Sequence, residues 1–184
     1  MDPHPDLLTV HRELLERFRR TMNLVGPGPV QEHFDDCAHA LNSLAPEGHW
    51  ADLGTGAGFP GIPLAARWPT LRVDLVDSRR KRCTFLEHVL EEAEVAPERV
   101  KVICDRVERL DGPYDGVVSR AFTAPEGFLD HAARLLRPGG TAVLFLQDDA
   151  AIPDDERFEV FHVERYSFGG KRRKSVAARL SDPT

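Results

Sequence analysis

The stretch Ala51-Asp52-Leu53-Gly54-Thr55-Gly56-Ala57-Gly58-Phe59-Pro60-Gly61-Ile62-Pro63 decides the fold. His49 to Leu53 can end a buried strand, and glycines at alternate positions follow. Gly54, Gly56 and Gly58 let a ligand approach the main chain because no side chain intervenes. Pro60 and Pro63 suit the first turn of a helix, where a missing N–H costs no bond. A helix that starts beside a glycine turn is a seat for a polar or anionic group. Strand, glycine turn and helix are the first half of a nucleotide-binding βαβ unit. The rival reading is a glycine-rich surface turn, and the agreement of turn, prolines and the carboxylate of Asp77 weighs against it.

The spacing narrows the nucleotide. A dinucleotide fingerprint is G-x-G-x-x-G; here the pattern is D-x-G-x-G-x-G, with Phe59 in the place of the third glycine. Asp77 ends the apolar run Val73-Asp74-Leu75-Val76, about 20 residues beyond the turn, where a ribose diol needs an acceptor. This combination resembles the S-adenosylmethionine (SAM) methyltransferases. The loop Gly54 to Leu64 further resembles that of one family, the 16S ribosomal RNA guanine-N7 methyltransferases of the RsmG or GidB type. Matching segments follow in order: Leu75-Val76-Asp77-Ser78-Arg79-Arg80-Lys81-Arg82, Asp105-Arg106-Val107-Glu108, and Tyr114-Asp115-Gly116-Val117-Val118-Ser119-Arg120-Ala121-Phe122. A weaker match, Met22-Asn23-Leu24 with His33 and Asp36, precedes them.

The resemblance implies a Rossmann-like α/β fold: seven strands, the last antiparallel, with helices on both faces. A short N-terminal helical segment, residues 1–46, precedes a SAM-binding domain, residues 47–184, the two forming one compact unit. It also implies the cofactor set Asp52, Gly54, Gly56, Gly58, Phe59, Asp77, Val107, Glu108 and Arg120. Glu108 has a plainer reading as a solvent-facing acid at a helix start, and Arg120 as half of a structural salt bridge. His33 and Asp36 are expected to shape the pocket mouth, or to pack between helices.

At 184 residues, 41% hydrophobic and 29% charged, the composition is that of one soluble globular domain. No apolar run is long enough to cross a bilayer. Met1-Asp2-Pro3-His4-Pro5-Asp6 lacks the basic start and apolar centre of a signal peptide, so the expected location is the cytoplasm. Cys37, Cys83 and Cys104 form no C-x-x-C pair, which argues against zinc or a disulfide framework. No metal is expected. A net charge of −6 argues against promiscuous nucleic-acid binding but leaves room for a local basic face. Arg79-Arg80-Lys81-Arg82 and Lys171-Arg172-Arg173-Lys174 are the dense basic runs; each is a candidate for phosphate contact or a solvated charged surface.

Leu7, Val10, Leu14, Leu15, Phe18 and Met22 fall at helical spacing, so Leu7–Met22 is an amphipathic helix capped by Asp6. Gly26-Pro27-Gly28-Pro29 breaks the chain, and a second helix is expected over Val30–Leu44. Helices follow over Gly61–Trp68, Arg79–Ala93 and Pro125–Leu136. Strands are expected over Leu71–Val76, Val100–Ile103, Tyr114–Val118, Thr141–Leu146, Phe158–Tyr166 and Ser175–Leu180, with Ser167–Lys174 an exposed basic connection.

Methyl transfer from SAM is governed by alignment of nucleophile and methyl. Guanine N7 has a lone pair and no proton to lose, so no general base is required and none is assigned. One departure from the family stands out. Where a lysine-glycine pair commonly follows the fifth strand, this chain has Gln147-Asp148-Asp149. Acids there repel an RNA backbone. Two alternatives therefore stay open: a SAM methyltransferase with a small-molecule or protein substrate, and a non-catalytic RNA-binding relative. The expected partner is ribosomal RNA or the small ribosomal subunit.

Overall fold

A computed structural model describes residues 6–120 and 122–182. Met1 to Pro5, which carry most of the signal-peptide argument, and Ala121 of the Ser119–Phe122 segment lie outside the described residues. Seven strands form one sheet: β1 (His49–Leu53), β2 (Arg72–Val76), β3 (Val100–Ile103), β4 (Tyr114–Arg120), β5 (Leu136–Gln147), β6 (Phe158–Phe168) and β7 (Lys171–Leu180). Their spatial order is β3-β2-β1-β4-β5-β7-β6. β1 to β5 pair in parallel, whereas β7 runs antiparallel to both β5 and β6. The order reverses between β1 and β4, and ligands of open α/β sheets bind outside the carboxyl ends at such a point.

The central strands are buried along most of their length because both sheet faces are covered. Val73, Leu75, Val118 and Val143 point into one core, shared with α1 (Leu7–Met22), α2 (Gln31–Ala40), α3 (Gly61–Arg67) and α4 (Arg80–Glu92). Ala51, Leu53, Val117 and Leu144 point into the other, shared with α5 (Pro125–Leu135) and a 3₁₀ turn over Val107–Arg109. Leu15 of α1 and Phe34 and Cys37 of α2 belong to the same cluster as Ile62 and Phe85. Asp6 caps α1 by accepting from the Thr9 N–H at 3.2 Å. Asn23 closes the helix in the left-handed region, φ +51°, a conformation asparagine tolerates better than most residues.

Several boundaries differ from the expected ones. α2 stops at Ala40, four residues early, and Leu41 to Ser43 turn. β5 begins at Leu136 because α5 ends directly into extended backbone, without a loop. The largest correction concerns Ser167–Lys174. It is the end of a β6–β7 hairpin, with Ser167 opposite Arg172 and Phe168 opposite Lys171. Gly169 and Gly170 close it at φ +53° and +72°, the two positive angles a type I′ turn demands. Lys171 to Lys174 are therefore strand residues. Among the described residues no helix is long and apolar enough to cross a membrane, and no group of three His, Cys, Asp or Glu is placed to hold a metal.

Candidate cofactor site

The glycine turn stands at the carboxyl end of β1, where backbone bonds pin it: the Thr55 N–H donates to Val76 O at 2.9 Å and the Gly58 N–H to Thr55 O at 2.9 Å. Two cavities meet across it. One, of about 430 Å³, lies over the ends of β2 and β3 and is lined by Asp77, Arg82, Val107, Glu108 and Phe122 among others. The second, of about 200 Å³, lies over β1 and β4 and is lined by Leu24, His33, Gly56, Phe59, Arg82 and Arg120 among others. Gly54 and Arg82 belong to both walls.

Asp77 is heavily engaged with the protein itself. Its Oδ1 accepts from the Arg79 N–H at 2.8 Å, and its Oδ2 from the Gly56 N–H at 3.0 Å and Arg82 Nη1 at 3.2 Å. A carboxylate offers about four lone-pair sites, so one direction, on Oδ1, remains for a ligand hydroxyl. A second hydroxyl requires Arg82 to swing away. Val107 is buried and Glu108 exposed on the 3₁₀ turn, both on the wall of the larger cavity.

Arg120 leaves the end of β4 inside a network. Its Nη1 donates to Asp36 Oδ2 at 3.3 Å and to His33 Nδ1 at 3.3 Å, and its guanidinium lies 4.9 Å from the centre of the Phe59 ring. Buried Asp36 also accepts from the Tyr166 hydroxyl at 2.8 Å. Arginine only donates, so His33 Nδ1 is unprotonated; burial, then the Arg120 charge, lower its pKa to about 4. The spacing of His33 and Asp36 on α2 thus brings both to Arg120.

Two residues of the expected cofactor set stand off the cavity walls. Asp52 is fully buried under the turn, where its Oδ2 accepts from the Gly61 N–H at 2.7 Å and caps α3. Burial pushes its carboxyl up to about 7, against the pull of that N–H. Gly58 faces the core: a Cβ there would stand 2.6 Å from Ile62 Cδ1. Gly56 is the glycine whose missing Cβ faces open space, with nothing nearer than Arg82 Nη1 at 3.8 Å.

The basic runs divide. Arg79 stands at the N-cap position of α4 without a side-chain capping bond, and Arg80, Lys81 and Arg82 form its first turn. Arg82 is held by Asp77, while Lys81 Nζ reaches the Thr21 carbonyl at 3.0 Å. On β7, Lys174 is buried and donates to the carbonyls of Asp148 at 2.9 Å and Ala150 at 2.5 Å. Arg172 and Arg165 pair with the Asp148 carboxylate at 2.9 and 3.4 Å. Of the two acids that depart from the family pattern, Asp148 is thus neutralised by β6 and β7, and Asp149 is exposed. Lys171 is exposed at the hairpin end.

One residue was missed from sequence. His11 of α1 is fully buried, and its Nε2 donates to the Ala57 carbonyl at 2.7 Å, tying the first helix to the glycine turn. Its Nδ1 has no hydrogen-bond partner among the described residues, and burial lowers its pKa to about 4. The available signal was its place within the stripe Leu7, Val10, Leu14, Leu15, on the apolar face.

A seven-stranded sheet of this order, with a carboxylate at the end of β2 and a glycine turn at the end of β1, defines the SAM-dependent methyltransferase fold. Magnesium protoporphyrin IX methyltransferase from Synechocystis, solved with bound SAM, superimposes with a TM-score of 0.60 at 16% identity, covering 98% of this chain and 100% of that one. The model of the GidB family, described as rRNA small subunit methyltransferase G, matches residues 6–172, and the chain belongs to that family. It is 40% identical over 134 residues to Ribosomal RNA small subunit methyltransferase G of Hydrogenovibrio crunogenus, covering 69% of this chain and 60% of that protein. To the protein of the same name from Pseudomonas paraeruginosa it is 34% identical over 171 residues, covering 84% of this chain and 77% of that protein. The chain therefore spans less than two thirds of the Hydrogenovibrio relative's length.

Proposed function

We propose that the chain transfers a methyl group from SAM to guanine N7 in small-subunit (16S) ribosomal RNA. The observation that carries this reading is a carboxylate-lined and an arginine-lined cavity meeting across one glycine turn, in a chain of this family. Asp77 accepts from the ribose, Val107 and Glu108 border the adenine, and Arg120 meets the methionine carboxylate, for which its planar fork is suited. Glu108's exposure on the cavity wall supports a ligand contact over a purely solvent-facing role. Asp52, Gly58 and Phe59 act on the cofactor through the shape of the turn. SAM, when bound, supplies an activated sulfonium methyl: the acceptor lone pair forms the new bond as sulfur keeps the electrons of the old one. The chain's task is alignment. Because guanine N7 loses no proton, no side chain has to act as a base.

The RNA assignment draws support from α4. Arg79, Arg80, Lys81 and Arg82 crowd its first turn, which holds no acid. Cations at a helix N-terminus oppose the helix dipole; Asp77 offsets Arg82, and RNA phosphates supply anions for the rest of the turn. Lys171, Arg172 and Arg173 extend the basic surface on β7, and His33 stands at the mouth beside Arg120. Residues 1–46 act with residues 47–184 as one unit, a reading supported by the core they share. A ribosomal substrate places the protein in the cytoplasm.

Titration calorimetry with S-adenosylhomocysteine tests the site. Asp77→Ala removes an acceptor whose charged hydrogen bond is worth about 1.5–3 kcal/mol, so affinity is expected to fall roughly 10- to 100-fold. Unchanged affinity overturns the assignment.

A further inference from the structure

Arg120 ends β4 with its guanidinium divided between two directions. Both N–H groups of Nη1 are taken, one by Asp36 Oδ2 and one by His33 Nδ1, each at 3.3 Å. A guanidinium carries five N–H donors in a rigid fork. Among the described residues none accepts from the donors left on Nε and Nη2, and that parallel pair is the one that matches a carboxylate. The side chain is 18% exposed and lines the cavity over β1 and β4. Where the free pair points is therefore set by what holds Nη1.

Asp36 is the stronger of the two holds because it is charged, and its own orientation is fixed from a distant strand. The carboxylate is buried, and its Oδ1 accepts from the hydroxyl of Tyr166 on β6 at 2.8 Å. Burial, then the Asp36 charge, raise the Tyr166 pKa above its ordinary value, so the hydroxyl keeps its proton and stays a donor. The buried Tyr166 ring stacks on His39 of α2 with centroids 5.6 Å apart and planes 13° from parallel, which fixes where the hydroxyl stands. Arg173 Nε lies 4.0 Å from the same Oδ1 and makes no hydrogen bond among the described residues. Arg173 thus adds charge without direction, and the direction comes from Tyr166.

We propose that Asp36 and Tyr166 are positioning residues: the Tyr166 hydroxyl holds the Asp36 carboxylate so that Arg120 presents its free Nε–Nη2 pair to the α-carboxylate of the cofactor. This rests on the reading of Arg120 given above. Bidentate recognition demands geometry as well as charge, so a turned guanidinium binds a carboxylate less well even with its charge intact. The relay runs from β6, the outer strand of the sheet, through α2 to the end of β4. Tyr166 acts only through Asp36 and Arg120, so its effect is confined to the carboxylate end of the ligand.

The test compares S-adenosylhomocysteine with its decarboxylated analogue, which lacks only that carboxylate, by titration calorimetry. Tyr166→Phe keeps the ring, its stacking and the net charge, and removes the hydroxyl. Its affinity for S-adenosylhomocysteine is expected to fall roughly 10-fold, and that for the analogue to stay within about 2-fold of wild type. Arg120→Ala gives the full size of the carboxylate contact, an expected loss of roughly 10- to 100-fold for S-adenosylhomocysteine alone. Equal loss for both ligands in Tyr166→Phe, or loss for neither, overturns the positioning role; if Arg120→Ala still separates the ligands, the Arg120 reading stands. An Arg120→Ala protein that fails to separate them overturns that reading and the positioning role with it.

Discussion

Asp77, Arg120 and His11 show how single side chains serve the glycine turn before any ligand arrives. Asp77 binds three protein donors, and His11 holds the Ala57 carbonyl from a helix 46 residues away in sequence. The imidazole stays neutral in the fold: its pKa is about 4, against an ordinary 6.5. Because the folded value is the lower one, the unfolded chain takes up the proton first, and stability is lost as pH falls below 6.5 towards 4. By about pH 5 this amounts to about 2 kcal/mol, and half-buried His33 adds to it with the same sign. Urea unfolding at about pH 7.5 and about pH 5 is expected to show that loss, and His11→Gln to reduce it. A second expectation concerns Asp36. Asp36→Ala leaves Arg120 largely buried without its carboxylate and is expected to cost roughly 3 kcal/mol in the same assay. The place of Asp77 beside the turn was legible because it follows directly on the strand Arg72–Val76. The hold of Arg82 on Asp77, and of Asp36 on Tyr166, was not: those partners lie 5 and 130 residues away, with no local pattern to join them.

At the scale of elements, β5 was the most legible strand because its buried half, Ala142 to Leu146, is an unbroken apolar run. The β6–β7 hairpin was misjudged. Its cationic residues resembled a loop, yet Gly169-Gly170 between two extended runs is a hairpin signal, and partners across the ladder absorb the charge. Lys174 is spent on two carbonyls and Arg172 on Asp148, so the hairpin has less free positive charge than its composition implies. The first turn of α4 has more. Arg80→Glu with Lys81→Glu is expected to weaken binding to small-subunit RNA. It should also reduce the dependence of log affinity on log salt by about 1 for each phosphate that the variant no longer neutralises. Filter binding across a salt series measures both, and an unchanged slope removes α4 from the RNA surface.

The whole molecule joins two features that its net charge of −6 seems to set apart. A sheet with its order reversing between β1 and β4 carries two cavities at its carboxyl ends, while α4 starts on a basic turn and Asp148 is paired with Arg172; on the reading proposed above, that leaves the edge open to a polyanion. Membership of the family was legible in the Gly54–Leu64 loop and the Ser119–Phe122 segment. The neutralisation of Asp148 was not, because it depends on β7 lying antiparallel beside β5. Transfer of labelled methyl from SAM to unmodified small ribosomal subunits, followed by nucleoside analysis, tests the central claim most directly. The expected result is label in N7-methylguanosine of the small-subunit RNA; a protein that binds SAM and leaves that RNA unlabelled contradicts it and points to another acceptor.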